Sequence, residues 1–168
     1  LRARNVVIAT GYYDNPRRLD VPGADLRKVR YYFTDPFPYF GQDLLVVGGG
    51  NSAAHAALTC WREGARVTLV HLFEELDKGV KPWVRPDIDN RIVEGSIPAF
   101  WRHAVCEIRP ADVVIESLDT GERTVLANDW VLAMIGYEPQ PGLIRGLGVV
   151  IDPETRVPAH DPPAVVTK

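Results

Sequence analysis

Apolar residues fall along this chain in short continuous blocks rather than in long helical stripes. Val6-Val7-Ile8, Leu44-Leu45-Val46-Val47 and Trp130-Val131-Leu132-Ala133-Met134 are such blocks, each bounded by glycine or by charged residues. Blocks of this kind predict strands buried on both faces. On that basis "NVVIATG" (5–11), "DLLVV" (43–47), "RVTLVH" (66–71) and "DWVLAMIG" (129–136) are expected strands. "NSAAHAALTCWREG" (51–64) predicts a helix with small residues on its first turns, ended by Gly64. "PDIDNRIVEGS" (86–96) predicts a second helix, started near Pro86 and Asp87. Beyond it "AVCEI", "DVVIESL" and "RTVLA" read as short strands, with "DTGE" (119–122) a turn between the last two. Residues 12–41 combine turn formers with Tyr31, Tyr32, Phe33, Phe37, Tyr39 and Phe40, which predicts a connector packed onto a surface. From 137 onward the chain reads as loop, with one candidate strand at "GVVI" (148–151).

Positions 43–71 therefore read strand, glycine turn, helix, strand, which is a βαβ unit of the length a right-handed crossover needs. The fold class expected is α/β, a Rossmann-like three-layer βαβ domain with a short antiparallel β-meander. Gly48-Gly49-Gly50-Asn51-Ser52-Ala53 fits G-x-G-x-x-A, and each position has a physical task. Gly48 permits the turn out of the strand. Gly50, without a Cβ, lets a pyrophosphate approach the backbone. Ala53 is small enough for close packing of helix on strand. The helix starts here, so its free N–H groups and positive dipole end face the anion, and Ser52 adds a hydroxyl.

An acid at the end of the second strand would bind the ribose 2′-hydroxyl of NADH. Here that strand ends at His71, followed by Leu72 and Phe73, which tilts the expectation to NADPH. Lys78, Lys81 and Arg85 could reach a 2′-phosphate from the following loop, and Glu74 or Glu75 would serve NADH instead.

Composition narrows the field without adding chemistry. The 168 residues are 46% hydrophobic and 24% charged, with a net charge of −3, so no nucleic-acid or anionic-membrane surface is expected. No apolar run reaches the ~20 residues of a membrane helix. Two cysteines, Cys60 and Cys106, without a CxxC pair, predict reduced thiols in a cytoplasmic protein. No nucleophile elbow, metal-spaced histidine pair or catalytic carboxylate pair is present, so no catalytic or metal residue is assigned. The chain begins at Leu1 and its single methionine is Met134, which reads as part of a longer protein.

Flanking segments narrow the class further. "VVIATG" (6–11) and "LAMIGYEP" (132–139) bracket the βαβ region, an arrangement that resembles the thioredoxin-reductase-like FAD/NAD(P)-dependent pyridine nucleotide-disulfide oxidoreductases. "VVIATGYYDNP", "VPGADLRKV", "PYFGQDLLVVGGGNSAAHAAL", "VTLVH" and "KPWVRPDIDNRIVEGSI" resemble bacillithiol-disulfide-reductase-like flavoproteins within that group. The resemblance implies an FAD-domain strand and connector at 1–40, an inserted NAD(P)H-binding domain at 41–136, and a return connector with a partial FAD-domain segment at 137–168. By position, Gly48, Gly49, Gly50, Asn51, Ser52 and Ala53 would hold the pyrophosphate and His71 would lie near the adenosine ribose. Lys78 would approach the 2′-phosphate. Ile135, Gly136 and Tyr137 would line the side facing nicotinamide or flavin, and Thr10 and Gly11 would approach FAD.

The chain lacks the family's N-terminal G-x-G-x-x-G and C-terminal Gly-Asp segment, so FAD is expected only in the full-length protein. His71-Leu72 stands where the family pattern has His-Arg. The function implied is hydride transfer from NADPH to FAD for reduction of a low-molecular-weight disulfide, by a cytoplasmic homodimer whose redox cysteine lies elsewhere. A ferredoxin–NADP reductase of the same architecture and a non-catalytic NAD(P) sensor are the alternative readings.

Overall fold

The computed structural model describes residues 4, 7, 9, 11, 13–138 and 142–153. The chain divides into two compact units, Pro16–Gly136 and a second formed by Leu1–Asn15 with Tyr137–Lys168.

The first unit is built on a five-stranded parallel sheet of order β1-β8-β2-β3-β4. Its strands are β1 (Val29–Arg30), β2 (Asp43–Val47), β3 (Arg66–His71), β4 (Ala99–Trp101) and β8 (Trp130–Ala133). Helix α1 (Asn51–Arg62) crosses from β2 to β3, and α2 (Arg85–Val93) lies beside α1. Strands β5 (His103–Ile108), β6 (Asp112–Ser117) and β7 (Arg123–Ala127) form a separate antiparallel sheet.

The alternation within β2 explains the layering. Leu44 and Val46 pack with Ala53, Ala56, Ala57 and Leu58 of α1 and Ile88 of α2. Leu45 and Val47 pack on the opposite face with Val105, Ile108, Val113 and Ile115 of the small sheet. Each strand residue is thus buried whichever way it points, which a continuous apolar run requires. The result is three layers, with helices over one face of the parallel sheet and the meander over the other. The alanines of α1 let the helix lie close against the strands.

Residues 16–40 supply more than a surface connector. They contribute β1 at the sheet edge, beside β8, and a 3-10 turn at Phe37–Tyr39 that buries Tyr39 to 5% exposure. Lys28 is anchored there, its Nζ donating to the Asn128 carbonyl at 2.9 Å. Burial lowers its pKa.

In the second unit, the ring centroids of Tyr13 and Tyr137 lie 4.6 Å apart. The Glu138 N–H donates to the Asn15 carbonyl at 2.8 Å. Helix α3 (Gly142–Gly146) precedes residues 148–151, which form no strand, only an isolated bridge at Ile151. The expected first strand, 5–11, falls largely outside the described residues. No described helix is long and apolar enough to cross a membrane.

Candidate functional site: the glycine turn at the strand ends

The sheet order reverses at β2, which has β3 on one side and β8 on the other. In open α/β sheets the crevice at the carboxyl ends of such strands is the ligand site. The glycine turn 48–50 lies there, between β2 and α1.

Each glycine is explained by its surroundings. Gly48 has φ +129°, and a Cβ on it would lie 2.4 Å from the Met134 carbonyl oxygen. A Cβ on Gly49 would lie 2.3 Å from His71 Nε2. Gly50 is the N-cap of α1 in extended conformation, and no side chain caps the helix. The N–H groups of the first turn have no intrahelical partner. A cradle of bare backbone at an uncapped helix start fits an anionic pyrophosphate. Ala53 is fully buried and Ser52 exposed, and the Asn51 side chain accepts from the Lys81 N–H at 3.1 Å.

His71 ends β3 with 6% exposure, and its Nε2 makes no hydrogen bond. Burial lowers its pKa, while the nearby Asp77 carboxylate pulls in the opposite direction. Phe73 and Trp101 stand edge-on to the ring, at centroid distances of 5.2 and 6.2 Å. The imidazole is thus buried between two aromatic edges, with the Asp77 carboxylate 3.4 Å from its Nε2.

The segment after β3 returns over the turn. The Asp77 N–H donates to the Gly49 carbonyl at 3.0 Å, and Leu76 beside it is 1% exposed. Arg85 is not available as a loose cation. Its guanidinium donates to Asp89, to Glu75 and to the Leu76 carbonyl. Lys78 is exposed on this segment, and Lys81 holds its ammonium 5.3 Å from the centre of the Trp83 ring.

Gly48 to Ala53 and His71 thus come together in one place. Ile135 and Gly136 follow β8, Ile135 packed on the meander side and the Gly136 carbonyl accepting from the Arg17 N–H at 3.0 Å. Gly11 (φ +67°) and Tyr137 belong to the second unit, and Thr10 lies outside the described residues. Asp77 was not apparent in the sequence as part of the site. The one local signal is Leu76, a lone apolar residue between Glu75 and Asp77, whose burial turns the segment back.

Neither cysteine is activated. Burial pushes the Cys60 thiol up to about 12. Cys106, at a register shift of β5, is also raised, by burial and by Glu116. A thiol in such surroundings is a poor nucleophile. No metal-binding cluster is present among the described residues.

This architecture is that of a dinucleotide-binding oxidoreductase domain, and the sequence agrees. The family model described as pyridine nucleotide-disulphide oxidoreductase matches residues 1–168, and the chain belongs to that family. It is 41% identical over 154 residues to bacilliredoxin reductase Bdr of Bacillus subtilis, covering 90% of this chain and 47% of the relative. It is 32% identical over 149 residues to a ferredoxin–NADP reductase of Ignicoccus hospitalis, covering 86% and 47%. Among solved structures, bacillithiol disulfide reductase Bdr from Bacillus cereus superposes with a TM-score of 0.86 at 39% identity, covering 90% of this chain and 46% of that one. The chain spans about half the length of these relatives.

Proposed function

We propose that this chain is the nicotinamide-nucleotide half of an FAD-dependent reductase that acts on a low-molecular-weight disulfide of the bacillithiol type. The observation that carries the reading is the tight glycine turn Gly48–Gly50, which leaves Gly50 partly open at an uncapped helix start at the switch point of the sheet. The similarity to bacilliredoxin reductase over 90% of the chain supports the choice of substrate class.

In this reading residues 41–136 bind NAD(P)H, and 1–40 and 137–168 join that domain to an FAD-binding part. Gly50 and the first-turn N–H groups of α1 hold the pyrophosphate, and Ser52 adds a hydroxyl. Ala53 keeps the helix start close to β2. His71 lies beside the adenosine ribose, Lys78 approaches the nucleotide from the following loop, and Ile135, Gly136 and Tyr137 face the nicotinamide or flavin side. Thr10 and Gly11 approach FAD. When bound, the nicotinamide supplies the hydride and FAD receives it. The redox cysteine is read as lying outside this chain, a reading that the raised thiol pKa values of Cys60 and Cys106 support. We read the whole protein as a cytoplasmic homodimer whose acceptor is a small disulfide or a redox protein, with no nucleic-acid or membrane role.

The test is anaerobic reduction of the full-length, FAD-bound protein by NADPH and by NADH, followed by addition of bacillithiol disulfide. Bleaching of the flavin absorbance and its return on adding the disulfide are expected. Flavin that neither nucleotide bleaches would overturn the reading. The similarity to a ferredoxin–NADP reductase supports a second reading, which reoxidation by ferredoxin but not by disulfide would select.

A further inference from the structure

β3 ends without an acid, at His71-Leu72-Phe73, yet the structure delivers a carboxylate to the glycine turn. Asp77 Oδ1 stands 3.4 Å from His71 Nε2. Asp77 Oδ2 stands 3.3 Å from the point where a Cβ on Gly50 would lie. Several bonds fix this placement. Leu76 is sunk in the core and its carbonyl accepts from Arg85 Nη1 at 3.2 Å. The Asp77 N–H is held by the Gly49 carbonyl, the Val80 N–H by the Asp77 carbonyl and the Lys81 N–H by Asn51 Oδ1. A second feature points to a ligand at the same spot. His71 is 6% exposed, and its Nε2 is aimed at Gly49 without a hydrogen-bond partner.

We propose that Asp77 is a specificity-determining residue of the nucleotide site, biasing it toward the dinucleotide without a 2′-phosphate. The proposal rests on the reading of the glycine turn as the pyrophosphate cradle. In a dinucleotide fold the adenosine ribose lies between that cradle and the end of the second strand, where a carboxylate accepts from the ribose 2′-hydroxyl. Asp77 brings a carboxylate to that edge from later in the chain. A carboxylate accepts from a hydroxyl and repels a phosphate dianion.

Two nearby guanidinium groups are already engaged elsewhere. Arg85 is engaged by Asp89 and Glu75. Arg102 is engaged by Asp119 and lies 3.8 Å from Glu74. Lys78 and Lys81 are the cations that oppose the bias from the same segment, and His71 is buried beside Asp77.

The experiment is calorimetric titration of the full-length, FAD-bound protein with ADP-ribose and with 2′-phospho-ADP-ribose. Both carry the adenosine and pyrophosphate but no nicotinamide, so the readout is independent of flavin reduction. In Asp77→Asn, which keeps the side-chain shape, binding of the 2′-phosphorylated ligand relative to ADP-ribose should improve about tenfold. Asp77→Ser should move the ratio the same way. If both ligands bind and neither variant changes the ratio, Asp77 does not set specificity and the cradle reading stands. A wild-type preference for the 2′-phosphorylated ligand that Lys78→Ala abolishes would overturn the proposal in favour of Lys78. If the wild type binds neither ligand, the cradle reading itself fails.

Discussion

The β2–α1–β3 unit and the 72–81 segment folded over it meet at one site but are specified in different ways. The first is held by regular ladders and by the absence of side chains. All five residues of β2 pair with β3, and of the three glycines Gly48 and Gly49 are buried against Met134 and His71 while Gly50 stays partly open. The second has no ladder. It is tied by two buried side chains, Leu76 and Val80, and by single bonds to Gly49, Asn51 and Arg85. On the proposed reading the first would hold the pyrophosphate common to all dinucleotides, and the second would carry the side chains that tell one from another. A generic cradle on rigid elements with a discriminating loop laid across it is the division seen widely where loops carry specificity.

Substitutions should separate the two regions. Gly48→Ala combines a φ of +129° with a Cβ 2.4 Å from a backbone oxygen. It should lower unfolding stability by about 4 kcal/mol, measured by urea denaturation. An unchanged midpoint would mean that the turn is not as tight as described. Leu76→Ala removes one anchor of the loop and should cost about 3 kcal/mol in the same assay. It should also raise proteolytic cleavage within 72–81, leaving the β2–α1–β3 unit intact. Gly50→Ala is the reverse case. Gly50 has φ −80° and ψ 178°, which alanine adopts freely, and the nearest side chain is the half-exposed Asp77. Stability should change by less than about 0.5 kcal/mol. Nucleotide binding to the full-length protein should weaken at least tenfold, because the added methyl stands in the phosphate approach. Equal losses of stability and of binding would show that the glycine serves the fold and not a ligand.

What the sequence made legible follows the same division. "DLLVV" and "RVTLVH" run over the same residues as β2 and β3, and the helix at 51–64 contains α1, because apolar runs and a glycine stop act locally. The two short strands went unseen. β1 spans two residues and β4 three, and neither has a pattern of its own. Each exists because a longer strand offers it a ladder, β8 for Val29 and β3 for Ala99. The "GVVI" run forms no strand among the described residues, only a single bridge at Ile151. Gly48, Gly50 and Ala53 stand at the turn between β2 and α1, where the G-x-G-x-x-A spacing is expected to fall. Asp77 was not legible in the sequence, because its carboxylate reaches the site only after Leu76 and Arg85 have folded the loop back. Arg85 was misleading for the same reason, since its carboxylate partners become visible only in three dimensions.

The smallest expected effect tests whether the two regions are electrostatically joined. His71 belongs to β3 and Asp77 to the loop. Burial lowers the His71 pKa below its ordinary value of 6.5 and Asp77 raises it in part. A base with a lowered pKa in the folded state takes up protons more readily when unfolded. Its contribution to stability is therefore present above pH 6.5 and lost as the pH falls through the lowered value. Unfolding free energy should decline over that window in the wild type, and His71→Phe should flatten this part of the profile. Asp77→Asn removes that opposing charge and lowers the folded pKa further, so the decline should still begin near pH 6.5 but deepen and extend to lower pH. A profile that is the same with and without the Asp77 charge would mean that the carboxylate does not interact with His71 in solution. The loop would then lie away from the cradle, and Asp77 would be too distant to read a ribose.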